Sequence, residues 1–130
     1  MPEYPELDPF YQLADFGKSD LDRVEGRVYL CLAEHISDTN YAEDAYNAFL
    51  RGVSGQATSS RSMSQTLIHL ADAALILDDF GRFVGCLEQG IDIAKEIDSK
   101  IRKHEASIVL GKAPDEWKNE RKYQDLVKMF

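Results

Sequence analysis

Cysteine is scarce in this sequence of 130 residues: only Cys31 and Cys86 occur, and they stand far apart. Neither belongs to a CxxC pair or to a cysteine–histidine spacing typical of zinc ligands, which argues against a disulfide framework and a zinc site. Both occur within apolar helical patterns, so we expect buried, reduced thiols. Residues 1–20 show no N-terminal signal, and no apolar run approaches the length of a membrane span. We therefore expect a protein of the reducing cytoplasm.

Motifs that would identify a reaction or a cofactor are also lacking. No glycine-rich phosphate loop and no ExxH or HExxH pattern occurs, and the three histidines fall on three different predicted helices. His35 continues an apolar stripe, and we expect an interior or boundary imidazole there. We expect His104 on the surface, whereas His69 could face either way. The sequence predicts no catalytic residue, no metal site and no cofactor, although a small helical enzyme with an unrecognised site stays open as an alternative.

The formal net charge is −8 and the pI is near 4.8. This balance argues against a generic duplex-binding protein, which needs clustered lysine and arginine, and against docking on an anionic membrane. Residues 1–94 hold the acidic excess, whereas residues 95–130 are mildly basic with acidic residues interleaved. The acidic region could simply be a solvated surface or could recruit a basic partner. We expect neither nucleic acid nor membrane as a partner.

Apolar residues recur at three- and four-residue steps along most of the chain, and no segment alternates at period two. The predicted helices cover roughly residues 9–17, 19–37, 41–53, 62–77, 79–111 and 114–130. Ser62 and Gln65 form a capping box for the fourth helix, and Asp78 or Asp79 caps the fifth. The fold class is therefore all-α, with five to six antiparallel helices in a helical-hairpin array or a helical bundle.

The length fits one domain spanning residues 1–130. Within it we expect an N-terminal cap helix at 1–17, two helical hairpins at 19–95 and a C-terminal helical hairpin at 96–130.

The two central hairpins carry a weak internal repeat, LAEHISDTNYAEDAYNAFLRGV and LADAALILDDFGRFVGCLEQGI. The first copy has its repeated positions at Tyr29, Leu32, Ala33, Ile36, Ala45, Phe49 and Gly52, and the second at Leu67, Leu70, Ala71, Ala74, Phe80, Leu87 and Gly90. This spacing resembles the tetratricopeptide repeat over roughly residues 27–95. The family's proline after the second helix is absent from both copies, and Phe83 stands where a small alanine is usual.

The resemblance implies that the first helix of each hairpin lines a shallow groove that binds an extended peptide or a helix of a partner protein. The family's groove positions fall on Arg27, Glu34 and Asp38 in the first copy and on Gln65, Asp72 and Ile76 in the second. Their acidic balance would favour a basic partner. We therefore expect a non-catalytic adaptor or scaffold domain.

A different surface supports the main alternative. Beyond Ala94, the long fifth helix carries Ile97, Ile101 and Ile108 on one stripe. If no other helix of the chain covers this stripe, it is an exposed apolar strip and a candidate interface. The protein would then be a structural subunit or homo-oligomer that assembles through its C-terminal helices.

Overall fold

The computed structural model of the chain describes the backbone of residues 9–36, 38–54 and 59–130, and the side chains of residues 21–36, 38–53 and 59–130. These residues form seven helices and no strand, which confirms the all-α prediction but exceeds the predicted count of five to six. The helices are α1 (Pro9–Ile36), α2 (Thr39–Ser54), α3 (Ser60–Ile76), α4 (Phe80–Glu96), α5 (Lys100–Gly111), α6 (Asp115–Lys118) and α7 (Arg121–Val127). In the described part of the chain, no helix combines the length and the apolar character needed to cross a bilayer.

Helix α3 lies at the centre of the fold and contacts α1, α2, α4 and α5. Its central position follows from its sequence, because small and aliphatic residues occupy most of its circumference. The largest fully buried apolar side chains come from α2, α3, α4 and α7: Phe49, Ile68, Leu70, Phe83, Leu87, Ile91 and Leu126. The apolar positions predicted for α3 and for the first part of the fifth helix thus lie in the core.

Two glycines allow neighbouring helices to approach closely. At Gly90 in α4, an added Cβ would lie 3.1 Å from Ile68 Cγ1, and the Gly90 carbonyl accepts a hydrogen bond of 2.8 Å from the buried Ser64 hydroxyl. At Gly26 in α1, the ring of Phe49 occupies the space that a side chain would need. Gly85, also in α4, has no such close neighbour, since nothing lies within 4 Å of an added Cβ.

Helix α1 differs from the prediction in two ways. Its backbone continues through Gly17 and Ser19, where we expected one helix to end and another to begin. The apolar stripe that His35 continues was also expected to face the interior, but its residues Leu21, Val24 and Val28 are exposed. The side that faces the core carries small residues such as Gly26, which admit the Phe49 ring.

The predicted thirty-residue fifth helix is broken between Glu96 and Lys100. Asp98 adopts a left-handed φ of 50°, and its N–H and that of Ser99 bond to the carbonyls of Lys95 and Ala94 at 3.1 and 2.9 Å. This is the Schellman arrangement that ends a helix. The Ser99 hydroxyl then accepts from Arg102 N–H at 3.2 Å and caps α5.

The turn between α3 and α4 is built in the same way. Asp78 has a φ of 57°, and Asp78 and Asp79 donate to the carbonyls of Leu75 and Ala74 at 3.1 and 2.9 Å. Asp79 caps α4 by accepting from Arg82 N–H, as one of the two predicted caps. At the start of α3, however, Ser59 is the capping residue, so the predicted capping box at Ser62 and Gln65 is wrong.

The C-terminal segment is anchored by aromatic side chains. The Trp117 ring lies 5.2 Å from the rings of both Phe80 and Phe83, measured between centroids. Tyr123 donates a hydrogen bond of 2.9 Å to the Leu110 carbonyl oxygen. The region predicted as one helix from Pro114 therefore consists of two short helices, α6 and α7, that hold the end of the chain against α4 and α5.

Candidate interaction surface on helices α1, α3 and α5

Side chains from α1, from α3 and from the end of α5 meet on one side of the molecule, because Lys112 lies near both Glu34 and Asp72. Gln65, His69, Asp72 and Ile76 follow one another along α3 at steps of four and three residues, so they lie on one stripe of the helix. All four are at least partly buried. We call the surface formed by this stripe and the adjoining charged side chains of α1 and α5 the α1/α3/α5 face.

A three-residue ion cluster joins the helices of this face. Lys112 Nζ, just after α5, lies 3.2 Å from Asp72 Oδ2 and 3.3 Å from Oδ1 on α3. The same Nζ lies 3.9 Å from Glu34 Oε1 on α1. One lysine thus bridges carboxylates from two different helices, and it does so from the end of a third.

Asp72 is the buried member of the cluster, with 7% of its surface exposed. Burial raises the pKa of its carboxyl group, and the nearby Lys112 ammonium opposes that rise. A buried carboxylate is costly unless it is paired, so Lys112 offsets the cost of keeping Asp72 in place.

His69 lies one turn before Asp72 and packs against Phe49 in a tilted arrangement, with ring centroids 5.2 Å apart. Burial is the main cause that lowers its pKa to about 4, and the positive charges of Arg27, Arg102 and Lys112 contribute to the same shift. The imidazole is therefore neutral near pH 7. Its environment also shows that cations from α1 and α5 converge on this part of α3.

Arg102 on α5 is a second, partly buried charge. Its Nη1 lies 2.5 Å from Glu105 Oε1, and only 13% of its side chain is exposed. Neither Nη1 nor Nε has a well-directed hydrogen-bond acceptor among the described residues. The Glu105 carboxylate thus supplies charge compensation for Arg102 without satisfying all of its donors.

The six predicted groove residues are only partly brought together. Glu34 and Asp72 meet through Lys112, and Arg27 is exposed on α1 near His69. Gln65 and Ile76 lie on the α3 stripe, partly buried.

Asp38 belongs to the turn between α1 and α2. Its carboxylate accepts a hydrogen bond of 2.9 Å from Asn40 N–H at the start of α2. Asp38 therefore acts as the N-terminal cap of α2. It belongs neither to the ion cluster nor to the α3 stripe.

The predicted acidic balance of the groove also needs correction. Lys112 and Arg102 from α5, together with Arg27, offset the carboxylates of Glu34, Asp72 and Glu105. Sequence reasoning missed the two α5 residues because it treated α4 and α5 as one continuous helix. Once the break at Asp98 is known, the spacing of Arg102, Glu105 and Lys112 predicts a common side of α5.

Among the described side chains, the histidines and cysteines outside the ion cluster lie apart from one another on the fold. His35 is exposed rather than interior, and its Nδ1 lies 2.8 Å from the carbonyl oxygen of Cys31, which is also exposed rather than buried. His104 is exposed as predicted. Among the described residues, no group of three or more histidine, cysteine or acidic side chains could hold a metal ion.

The half-buried Cys86 lies with its Sγ 3.7 Å from Tyr46 Oη. Burial is the main cause of the raised pKa of both groups, to about 12 for Tyr46. Both groups stay protonated near neutral pH. The pair is therefore unsuited to nucleophilic chemistry, which needs a thiolate.

Elsewhere, a concavity of about 710 Å³ opens between α4 and α7. Its floor is apolar, with Phe80, Val84 and Leu126, and its rim carries charges of both signs. All of its charged lining residues are exposed, whereas specific small-molecule sites usually place a few polar groups in a buried pocket.

The C-terminal isoleucines are exposed, with exposed fractions of 36% at Ile97, 68% at Ile101 and 50% at Ile108. They do not form the continuous helical stripe that we expected. Ile97 belongs to the turn that ends α4, whereas Ile101 and Ile108 lie two turns apart on α5.

Comparison of the chain with models of known protein families, with curated proteins and with solved structures finds no match. The tetratricopeptide resemblance therefore stays a prediction from residue spacing.

Proposed function

We propose that this chain is a non-catalytic protein-interaction domain that binds a segment of another protein on its α1/α3/α5 face. The observation that carries the proposal is the ion cluster in which Lys112 bridges Glu34 and Asp72. It fixes side chains from three helices on one surface. Such ion pairs restrict side chains before a partner binds, which lowers the entropic cost of binding.

The succession of hairpins supports the same proposal. Short turns connect α3 to α4 and α4 to α5, which favours antiparallel neighbours in a stacked array. In such an array the first helices of successive hairpins share one side, as α1, α3 and α5 do. The array would extend one hairpin further than the predicted repeat, because α5 with α6 and α7 occupies the third position.

The charges of the face define the partner's chemistry. Arginine, lysine, glutamate and aspartate side chains alternate across it, beside the partly buried Gln65 and Ile76. We propose a partner segment with charges of both signs around an apolar anchor, in place of the purely basic partner that the sequence favoured. Charge complementarity of this kind contributes specificity and association rate more than affinity.

Site-specific photo-crosslinking of the full chain in cells tests the proposal. A crosslinking amino acid at Gln65 samples the α1/α3/α5 face, and the same amino acid at the exposed Gln89 of α4 is the matched control. We expect a discrete adduct with another protein from position 65 only, and a weaker adduct when Glu34→Lys is added. Equal adducts from both positions, or no adduct from position 65, would contradict the proposal.

A further inference from the structure

Two exposed charges of opposite sign stand on the α1 side of the α1/α3/α5 face. Arg27 and Glu34 are seven residues apart on α1, so they share one side of the helix, about 10.5 Å apart along its axis. Glu34 borders the face, because Lys112 Nζ lies 3.9 Å from its Oε1. Arg27 therefore borders the same face, two turns nearer the start of α1.

The end of the face at Glu34, which we call the anionic end, has an excess of negative charge. The carboxylates of Glu34 and Asp72 share the single ammonium group of Lys112. Lys112 Nζ lies closer to Asp72 Oδ2, at 3.2 Å, and the Glu34 side chain keeps 41% of its surface exposed. The lysine therefore compensates the buried Asp72 first, and the Glu34 carboxylate stays accessible to a cation from another molecule.

The end of the face at Arg27, which we call the cationic end, has the opposite sign. Arg27 is exposed and forms no ion pair with any residue that the structure describes. The neighbouring Arg102 is already paired with Glu105 and adds no net charge. The guanidinium group of Arg27 can therefore pair with a carboxylate from another molecule, and its planar fork suits that geometry.

Helix α3 extends between the two ends. Asp72 lies at the anionic end, and Gln65 precedes it by seven residues on the same stripe. His69, between them, packs against the Phe49 ring, which also lies against Gly26 of α1 at the cationic end. The order of residues along α3 therefore follows the order along α1, and Gln65 lies at the cationic end.

Building on the function proposed above, we propose that this face binds a helix of another protein with an acidic and a basic residue seven positions apart. The acidic residue pairs with Arg27 and the basic residue with Glu34. Two turns of the bound helix span the same distance as two turns of α1, so a helix lying along α1 and α3 forms both pairs together. Opposite charges that face each other across an interface contribute specificity and fix the register.

An extended segment fits this face less well than a helix does. The backbone N–H and C=O groups of an extended segment need hydrogen-bond partners, and Gln65 supplies the one side-chain amide on the α3 stripe. A helix satisfies these groups internally, so it needs only charge pairs and apolar contact from the face. Ile76, partly buried on the same stripe, offers the apolar contact.

The first step of the test identifies the bound segment. Mass spectrometry of the adduct formed by a photo-crosslinking amino acid at Gln65 maps the part of the partner that lies at the cationic end. A fluorescent synthetic peptide of that segment is then the probe, and fluorescence anisotropy measures its affinity for the full chain. Absence of an adduct would contradict the proposed function and this inference together, whereas the peptide measurements bear on the inference alone.

Reversal of charges on both molecules tests the pairing. Arg27→Glu or Glu34→Lys alone should weaken peptide binding by about tenfold, because each replaces an attraction with a repulsion. Reversal of the acidic residue in the peptide should restore binding to the Arg27→Glu chain only. Reversal of the basic residue, seven positions away, should restore binding to the Glu34→Lys chain only. A change in the peptide cannot repair a misfolded chain, so this rescue separates recognition from loss of fold.

The matched controls are Lys95→Glu and Glu88→Lys, which reverse exposed charges on α4 and should leave the affinity unchanged. Unchanged affinity in both α1 variants, or losses that no reversal in the peptide restores, would overturn the inference. Rescue by two residues only three positions apart would overturn it as well. An extended chain covers the same distance with that spacing, at about 3.3 Å per residue.

Discussion

The ring of Phe49 in α2 lies against the backbone of Gly26 in α1, where a Cβ would come within 2.6 Å of the ring atom Cδ1. Phe49 is fully buried, and its other contacts include the imidazole of His69 on α3. One glycine in α1 therefore lets one aromatic ring of α2 reach the face that α3 contributes to the candidate site.

Substitution Gly26→Ala should destabilise the fold, because the ring must move and has little space to do so. We expect a loss of about 1–3 kcal/mol in the free energy of unfolding, the usual cost of overpacking. Gly85→Ala in α4 is the matched control, since nothing lies within 4 Å of the added Cβ. There, replacing glycine within a helix should stabilise by about 0.5–1 kcal/mol. Urea unfolding of both variants measures the difference, and equal effects would contradict the close contact at Gly26.

The two Schellman turns give a second prediction. Asp78 and Asp98 hold φ values of 57° and 50°, which glycine adopts without steric cost. We expect Asp98→Gly to stabilise by about 0.5–1 kcal/mol and Asp98→Ala to destabilise by a similar amount. The same pair of substitutions at Asp78 should give the same signs. If Asp98→Ala were stabilising, α4 and α5 would behave as the continuous helix that the apolar pattern predicted.

This break also shows what the sequence could and could not predict. Apolar periodicity identified the helices and most of the core of α3 and α4, because those helices bury a broad apolar side. The period continued through Ile97 and Ile101, and it concealed a turn that depends on Asp98 and on the capping residue Ser99. The turn at Asp78 and Asp79 is built in the same way. Its residue pattern could have indicated the second turn at Asp98 and Ser99.

The candidate site was predictable to a similar extent. The resemblance to the tetratricopeptide repeat placed Glu34 and Asp72 at groove positions, and in the structure both lie beside Lys112. Their meeting depends on Lys112, whose position follows from the separate direction of α5 after the break at Asp98. In α1, periodicity alone could not tell which of two stripes is buried, because the core side uses small residues around the Phe49 ring.

Removal of Lys112 should expose the cost of burying Asp72. We expect Lys112→Met to lower the free energy of unfolding by about 1–3 kcal/mol near neutral pH, because the carboxylate loses its only close cation among the described residues. Adding Asp72→Asn should recover much of the loss. The penalty should shrink as the pH falls, since burial raises the pKa of Asp72 and the folded state takes up the proton readily. If Lys112→Met left the free energy of unfolding unchanged, the pair between Lys112 and Asp72 would contribute no more than an exposed ion pair.

Protonation of His69 should lower the free energy of unfolding as the pH falls. Its pKa falls from 6.5 to about 4 in the folded state, so the unfolded state binds the proton first as the solution is acidified. The stability that the neutral imidazole contributes is therefore complete above pH 6.5 and is lost as the pH falls towards 4. At about 1.36 kcal/mol per pKa unit, this loss is at most about 3 kcal/mol. Burial raises the pKa of Asp72, so acidification changes its contribution to stability in the opposite direction. To separate the two groups, the test compares unfolding of the wild type and of His69→Gln over the same pH range. The variant should lose less stability on acidification, and identical pH profiles would show that His69 is protonated in the fold as readily as in the unfolded chain.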